Sequence, residues 1–296
     1  MVTRDRLVER DVREVYDYCP PTKTHYSANG RRQYEAMWGA FLESIGVPPS
    51  SFRARRVLDV GCGSSEKASF YADWGGRVTG LEMTPAVLAR ARETVAGRDV
   101  TLVETSLFDF TAPDGFDIVI ADGVLHHTAD TRKSLERCAS FVAPGGMLVI
   151  GLVNVWGRFW WFKPARGLVR LLARGDFHRR AAWGRRLFKW TRHGQEATES
   201  DAFYRAEQSW AYDWFANPRW NADRPATVSK WIRELGFELV GSVPPLETKD
   251  EPTTLPGRIV RAVTGPKSFG MATYWLSTGR ANMFYFAAAK LPRRHT

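Results

Sequence analysis

Two adjacent histidines, His126 and His127, stand in "FDIVIADGVLHHTAD", just after an apolar run. Histidine titrates near neutrality, so an imidazole placed at a strand end can take a proton from a hydroxyl, an amine or an acidic carbon. Upstream, "VLDVGCG" puts Asp59, Gly61, Cys62 and Gly63 in the turn after another apolar run. Glycines at such a turn let the backbone bend sharply and approach a ligand closely. An acid, Glu82, ends a further run in "GLEMT". Cys19, Cys62 and Cys138 lie far apart, with no CxxC and no metal-ligand spacing. No metal site and no disulfide framework is expected from them, and sparse cysteines fit a reducing compartment.

These residues need a scaffold that gathers strand ends. From Arg55 the sequence alternates "RRVLDVG", "SEKASFYADWG", "RVTGLEM", "TPAVLARARETVAG", "DVTLVET", "FDIVIAD", "TRKSLERCASFVAPGG" and "MLVIGLV". Apolar strand-length runs trade places with helical segments, one of them with Thr84 as N-cap, Pro85 in its first turn and Gly97 past its end. Such alternation implies parallel βαβ units in a doubly wound sheet, whose ligands bind beyond the C-terminal strand ends. Residues 1–54 read as an N-terminal helical cap and 55–154 as the cofactor-binding core. Residues 155–225 read as a basic, aromatic-rich helical insert, and 226–296 as the rest of the core with a second insertion at 246–280.

The glycine turn suits one cofactor class better than another. A dinucleotide site wants GxGxxG, and Glu66 stands at the last of those positions. A carboxylate there would repel a pyrophosphate at the helix N-terminus, which favours anions. S-adenosylmethionine carries no phosphate and has a positive sulfonium, so the objection does not touch it. "VLDVGCG" is similar to the first motif of class I S-adenosylmethionine-dependent methyltransferases, with Ser65 where that family often has a third glycine. "GLEMT", "ETSLFDF", "FDIVIADGVLHHTAD" and "VAPGGMLVIGLVN" resemble the later motifs, in order, and the regions beyond look like a little-characterised bacterial branch.

The resemblance implies an α/β, Rossmann-like, doubly wound seven-stranded sheet with an antiparallel last strand, capped by the N-terminal segment and the insert. It implies a cofactor, S-adenosylmethionine, held by Asp59, Gly61, Cys62, Gly63, Glu82 and Met83, with Glu82 on the ribose hydroxyls. Ser106 and Leu107 fall where the adenine is lined, Ser106 replacing the usual Asp, and Asp122 falls beside the methionyl part. It also implies an enzyme that transfers a methyl group, with His127 as the candidate base and His126 and Tyr26 as further catalytic candidates. Asp117, at the start of its strand, reads as structural. His25, Tyr204, Tyr212 and Trp214 are candidate substrate contacts, a role for Tyr16 is open, and Glu207, Asp213 or Arg205 could orient a polar group.

Charge sharpens the reading. Between Val155 and Gly194 there are eleven Arg or Lys and one Asp, which equals the +10 net charge of the whole chain. Basicity is therefore local. Enzymes that methylate the exocyclic amine of a base usually carry a polar residue, two prolines and an aromatic after the fourth strand, where this chain has "ADGV". Pyrimidine-carbon methylation needs a suitably placed cysteine, which is also missing. A small-molecule acceptor, hydrophobic or aromatic and free or carrier-bound, is the expectation. RNA methylation and a cofactor-binding protein without methyl transfer are the alternatives. Arg166, Arg170 and Arg174 share one helical face, and Trp183, Leu187 and Trp190 fall at i, i+4 and i+7. As a lid, the insert would pack its tryptophans on the sheet and leave its arginines solvated. Docking on an anionic membrane or a carrier protein through 155–194 is the further expectation. No apolar run reaches membrane-spanning length and the N-terminus is charged, so the chain is expected to be cytoplasmic, with peripheral membrane contact open.

Overall fold

The structure, a computed structural model, describes residues 4–20, 28–155, 159–173, 175–191, 211–246, 258 and 283–292. Its centre is a seven-stranded sheet: β1 (Arg56–Val60), β2 (Arg77–Glu82), β3 (Val100–Glu104), β4 (Phe116–Asp122), β5 (Val142–Val153), β6 (Phe237–Val243) and β7 (Met283–Lys290). The order is β3-β2-β1-β4-β5-β7-β6. The first five strands are parallel, and β7 runs antiparallel between β5 and β6. The strand order reverses between β1 and β4, which puts the crevice for a ligand beyond Val60 and Asp122.

The strands read as near-continuous apolar runs because both faces are covered. On one face Leu58, Val119, Ala121 and Leu148 pack with Leu135 and Cys138 of α5 (Thr131–Ser140) and Val228 and Ile232 of α8 (Pro225–Glu234). On the other, Val57, Ile118, Ile120 and Val149 meet Tyr34, Trp38 and Leu42 of α2 (Ala28–Ser44) and Phe70 and Tyr71 of α3 (Glu66–Asp73). α4 (Pro85–Thr94) joins β2 to β3 and buries Val87, Leu88 and Ala91. Thr84 takes the N-cap position of α4, but its side chain makes no capping bond.

One boundary differs from the sequence expectation. The segment "FVAPGG" does not extend α5; the helix stops at Ser140 and β5 begins at Val142. Pro144 lacks an N–H and Gly145 takes φ +72°, so the helix cannot continue and the strand starts with an irregularity between the Phe116 and Ile118 pairings.

Two units lie over the crevice. α1 (Arg4–Tyr18) buries Val8, Val12 and Val15. The insert forms α6 (Phe159–Ala173) and α7 (Phe177–Thr191), followed by a π-helical turn at Tyr212–Ala216. The faces of α6 are inverted relative to expectation. Arg166 is buried, donating to the carbonyls of Trp214 and Asn217, the latter at 2.8 Å. Leu168, Leu171 and Leu172 face outward, and Trp183 of α7 is exposed as well. The cause is local: the chain around the π-helical turn presents carbonyls with no helical donor, and a buried guanidinium satisfies them while stacking near Phe162 and Trp220.

Candidate active site

A cavity of about 790 Å³ extends from the ends of β1 and β2 to the inner side of α6. At one end lie Asp59, Gly61 and Cys62 at the end of β1 and the turn after it, Glu82 and Met83 at the end of β2, and Leu107 and Phe108 after β3. Gly61 has φ +63°, and a Cβ added there would lie 2.5 Å from a methyl of Val124, so only glycine fits. Ser65 takes φ +62° in the same left-handed region, the conformation expected of the glycine it replaces. Glu82 braces the turn: its carboxylate accepts from the Gly63 N–H at 3.3 Å and from the Thr84 N–H at 3.0 Å.

The electrostatics of this end are set by burial. Burial pushes the Asp59 carboxyl up to about 7, with Lys67 opposing and Glu82 and Glu66 adding to the rise. Burial also raises Glu82, against its hydrogen bonds to Thr84 and Gly63. The Ser64 hydroxyl donates to Glu66, at 2.6 and 2.8 Å to its two oxygens. Lys67 pairs with Asp122, and its ammonium sits 3.7 Å from the centre of the Trp38 ring. The cavity lining holds six carboxylates against one lysine and two histidines. That set suits a cationic ligand with hydroxyls to bind, and it would repel a pyrophosphate. S-adenosylmethionine, a cation without phosphate, therefore fits this lining.

α1 roofs this end. Glu9 accepts from the Ser106 hydroxyl, Arg6 pairs with Asp109, and Arg13 lies 3.4 Å from Glu104. Beneath these contacts is a cleft of about 400 Å³ that adjoins the main cavity at Glu9, Met83 and Thr105.

The other end is aromatic and has one polar cluster. Trp38, Phe41, Tyr285, Phe162, Trp214 and Trp220 wall it. His127 follows β4 in a short 3-10 turn and faces the insert. Its Nδ1 is 3.0 Å from the Arg219 carbonyl, and a carbonyl only accepts, so Nδ1 carries a hydrogen. Its Nε2 lies 3.3 Å from Asp213 Oδ1, in the π-helical turn. The Tyr16 hydroxyl donates to the same oxygen at 2.8 Å and accepts from the Asn217 amide at 2.9 Å. The chain after the insert is tied down beside this cluster, with the Asn221 N–H donating to the His126 carbonyl at 2.8 Å. His126 is buried against His127, ring centres 4.0 Å apart. Burial, and then the charge of His127, hold His126 well below the usual histidine range. It is a weak proton acceptor, so of the two histidines His127 has the geometry of a base.

Most of the expected residues converge. Asp59, Gly61, Cys62, Glu82, Met83, Leu107, Asp122, His126, His127 and Trp214 line the cavity, and the Gly63 N–H donates to Glu82. Asp117 is structural, accepting from the Arg56 N–H at 2.8 Å. Ser106 lines the adjoining cleft, its hydroxyl donating to Glu9 of α1. One expectation is corrected. Tyr212 is turned away from the cavity: its hydroxyl is 2.9 Å from His178 Nδ1 and its ring packs by Tyr18. His25, Tyr26, Tyr204, Arg205 and Glu207 lie outside the described residues. Lys67, Trp38, Phe162 and Tyr285 went unremarked in the sequence. A signal existed for Tyr285: the period of two in "MFYFAAAK" puts it opposite the buried Phe284 and Phe286.

Comparison with known proteins agrees with this geometry. Residues 58–150 match the methyltransferase domain family. A ubiquinone biosynthesis O-methyltransferase of Klebsiella pneumoniae is 34% identical over 110 residues, 36% of this chain and 46% of that protein. An uncharacterised protein of Synechococcus sp. is 29% identical over 256 residues, 79% of this chain and 60% of its own length. The chain thus spans about half to three-fifths of the relatives it matches. An S-adenosylmethionine-dependent methyltransferase structure from Mesorhizobium loti aligns with a TM-score of 0.51 at 17% identity, covering 86% of this chain and 98% of the other. Residues 58–150 thus match a methyltransferase domain, and the fold is shared with that methyltransferase structure.

Proposed function

We propose that the chain transfers a methyl group from S-adenosylmethionine to a small, hydrophobic, aromatic-shaped acceptor bearing an ionisable hydroxyl or amine. The observation that carries this is the His127–Asp213–Tyr16 cluster in an aromatic chamber continuous with the glycine turn. When bound, the cofactor supplies an already activated methyl group, so the protein's work is orientation and proton handling. Phe41, Tyr285 and Trp214 offer aromatic surface for an acceptor ring. An acceptor O–H or N–H presented from the chamber beside Asp213 meets Nε2, which takes its proton as the oxygen or nitrogen takes the methyl group. Asp213 then stabilises the imidazolium, and the Arg219 carbonyl, accepting from Nδ1–H, holds the ring in place. Tyr16 and Asn217 fix the carboxylate.

The aromatic walls favour a small acceptor over RNA, because the basic residues of the insert do not line the cavity. The ubiquinone biosynthesis relative, named as an O-methyltransferase, supports the same class. The test is transfer of a labelled methyl group to a panel of phenols, quinols and aromatic amines, with total RNA in a parallel arm. Labelled small-molecule product that disappears in His127→Ala supports the proposal. Label in RNA alone, or no transfer to any acceptor despite tight S-adenosylhomocysteine binding, refutes it.

A further inference from the structure

The outward face of the insert carries a pattern that the cavity does not use. Helices α6 and α7 both pack inward on the π-helical turn. Phe162 and Val169 cluster with Phe215, and a Cβ added to Gly184 would lie 2.4 Å from the Phe215 ring. Their opposite faces therefore look away from the cavity together. On that side Leu168, Leu171 and Leu172 are 50%, 73% and 47% exposed, and Trp183 is 37% exposed. The three leucines sit at i, i+3 and i+4 and form one stripe. Lys163 on α6 and Arg179, Arg185 and Arg186 on α7 are exposed, whereas Arg170 turns toward the Pro218 carbonyl. Between Phe159 and Thr191 the one acid is Asp176, in the turn between the helices and 3.5 Å from Arg179.

Single exposed leucines need no explanation, but a cluster rimmed by one sign of charge marks a binding face. The charge selects an anionic partner, and the leucines select among anionic partners. Nucleic acid would engage the rim through its phosphates, but offers nothing to bury an aliphatic stripe. A bilayer offers both, with acyl chains for Leu168, Leu171, Leu172 and Trp183 and headgroup phosphates for the arginines. No described helix is long and apolar enough to cross a membrane. The hairpin fits the interface plane instead.

We propose that the α6–α7 face seats on an anionic lipid bilayer. The burial of Arg166 is what makes this possible: with that guanidinium turned inward on carbonyls, the leucines are left outside. Phe162 on the inner face of the same helix walls the acceptor chamber, so a seated hairpin holds that chamber beside the membrane, where acyl-soluble acceptors collect. That consequence rests on the methyl-transfer reading; the seating itself needs no turnover.

Flotation of the full chain with phosphatidylcholine vesicles, with and without phosphatidylglycerol, tests it. The chain is expected to float with the anionic vesicles and to stay behind with neutral ones. Leu168→Ser/Leu171→Ser/Leu172→Ser is expected to lower partitioning at least about tenfold, since each exposed leucine loses its transfer to the acyl boundary. Arg179→Glu/Arg186→Glu is expected to lower it at least about 25-fold through lost headgroup attraction. Unfolding midpoints of both variants serve as the control for folding, and the second variant decides if the first does not fold. Three results would overturn the proposal: no flotation with anionic vesicles at low salt, flotation of the serine variant equal to wild type, or tight binding to RNA without flotation.

Discussion

The two ends of the cavity are built in opposite ways. The cofactor end comes from the C-terminal ends of three consecutive strands and the turns after them, and its residues, Asp59 to Gly63, Glu82–Met83 and Leu107, lie within short local segments. The acceptor end comes from segments far apart in sequence. Tyr16 lies in α1, His127 after β4, Asp213 and Asn217 in the insert and Tyr285 in β7. One end is thus a property of the sheet. The other is an assembly that exists only when α1 and the insert are seated. The difference separates binding from chemistry: damage at the first end should appear in cofactor affinity, and damage at the second in turnover.

The largest expected effect sharpens that split. His127→Ala removes the proton acceptor and should lower kcat by about 10²–10⁴-fold. Calorimetric affinity for S-adenosylhomocysteine should stay as in wild type; a parallel loss of affinity would break the separation. Glu82→Ala is the mirror case. It removes a buried carboxylate that accepts from Gly63 and Thr84, and should weaken S-adenosylhomocysteine by about 100-fold, as expected for charged hydrogen bonds lost in a buried site. Asp213→Asn keeps shape but removes the charge beside Nε2. It should lower kcat by about 10–100-fold with unchanged cofactor affinity.

A smaller effect comes from Asp59, whose carboxyl burial raises from its ordinary 3.8 to about 7. The folded state therefore holds a proton that the unfolded chain has released. The contribution of Asp59 to stability falls as pH rises from about 4 to about 7 and is flat above. A ligand ammonium favours the ionised form, so S-adenosylhomocysteine affinity should rise by up to about tenfold from pH 6 to pH 8, and Asp59→Asn should flatten the curve. Arg6→Ala is expected to do least. Its pair with Asp109 is exposed, so neither the unfolding midpoint nor kcat should move measurably.

How far the sequence could be read follows the same division. The turn after β1 and the acid after β2 were legible because positive φ and close approach demand particular residue types at fixed offsets. The strands were legible because sheet burial writes itself as apolar runs. His127 could be named, but its partners could not be singled out: a π-helical turn has no period that marks Asp213 as facing a histidine some eighty residues earlier in the chain. The facing of α6 was misread for a related reason. Amphipathic spacing says which residues share a side, and not which side is inward. Arg166 reversed the expected choice by satisfying the Trp214 and Asn217 carbonyls. The partner of Ser106 was not legible either: Glu9 of α1, which takes its hydroxyl, lies 97 residues away in the chain.

The central claim is that the two ends form one site, with the transferable methyl group directed from the glycine turn toward His127. A crystal structure with S-adenosylhomocysteine bound tests it most directly. The account predicts ribose hydroxyls within hydrogen-bond reach of Glu82 and the sulfur turned toward His127 and Asp213. A ribose bound away from Glu82, or a sulfur facing away from that pair, would contradict it.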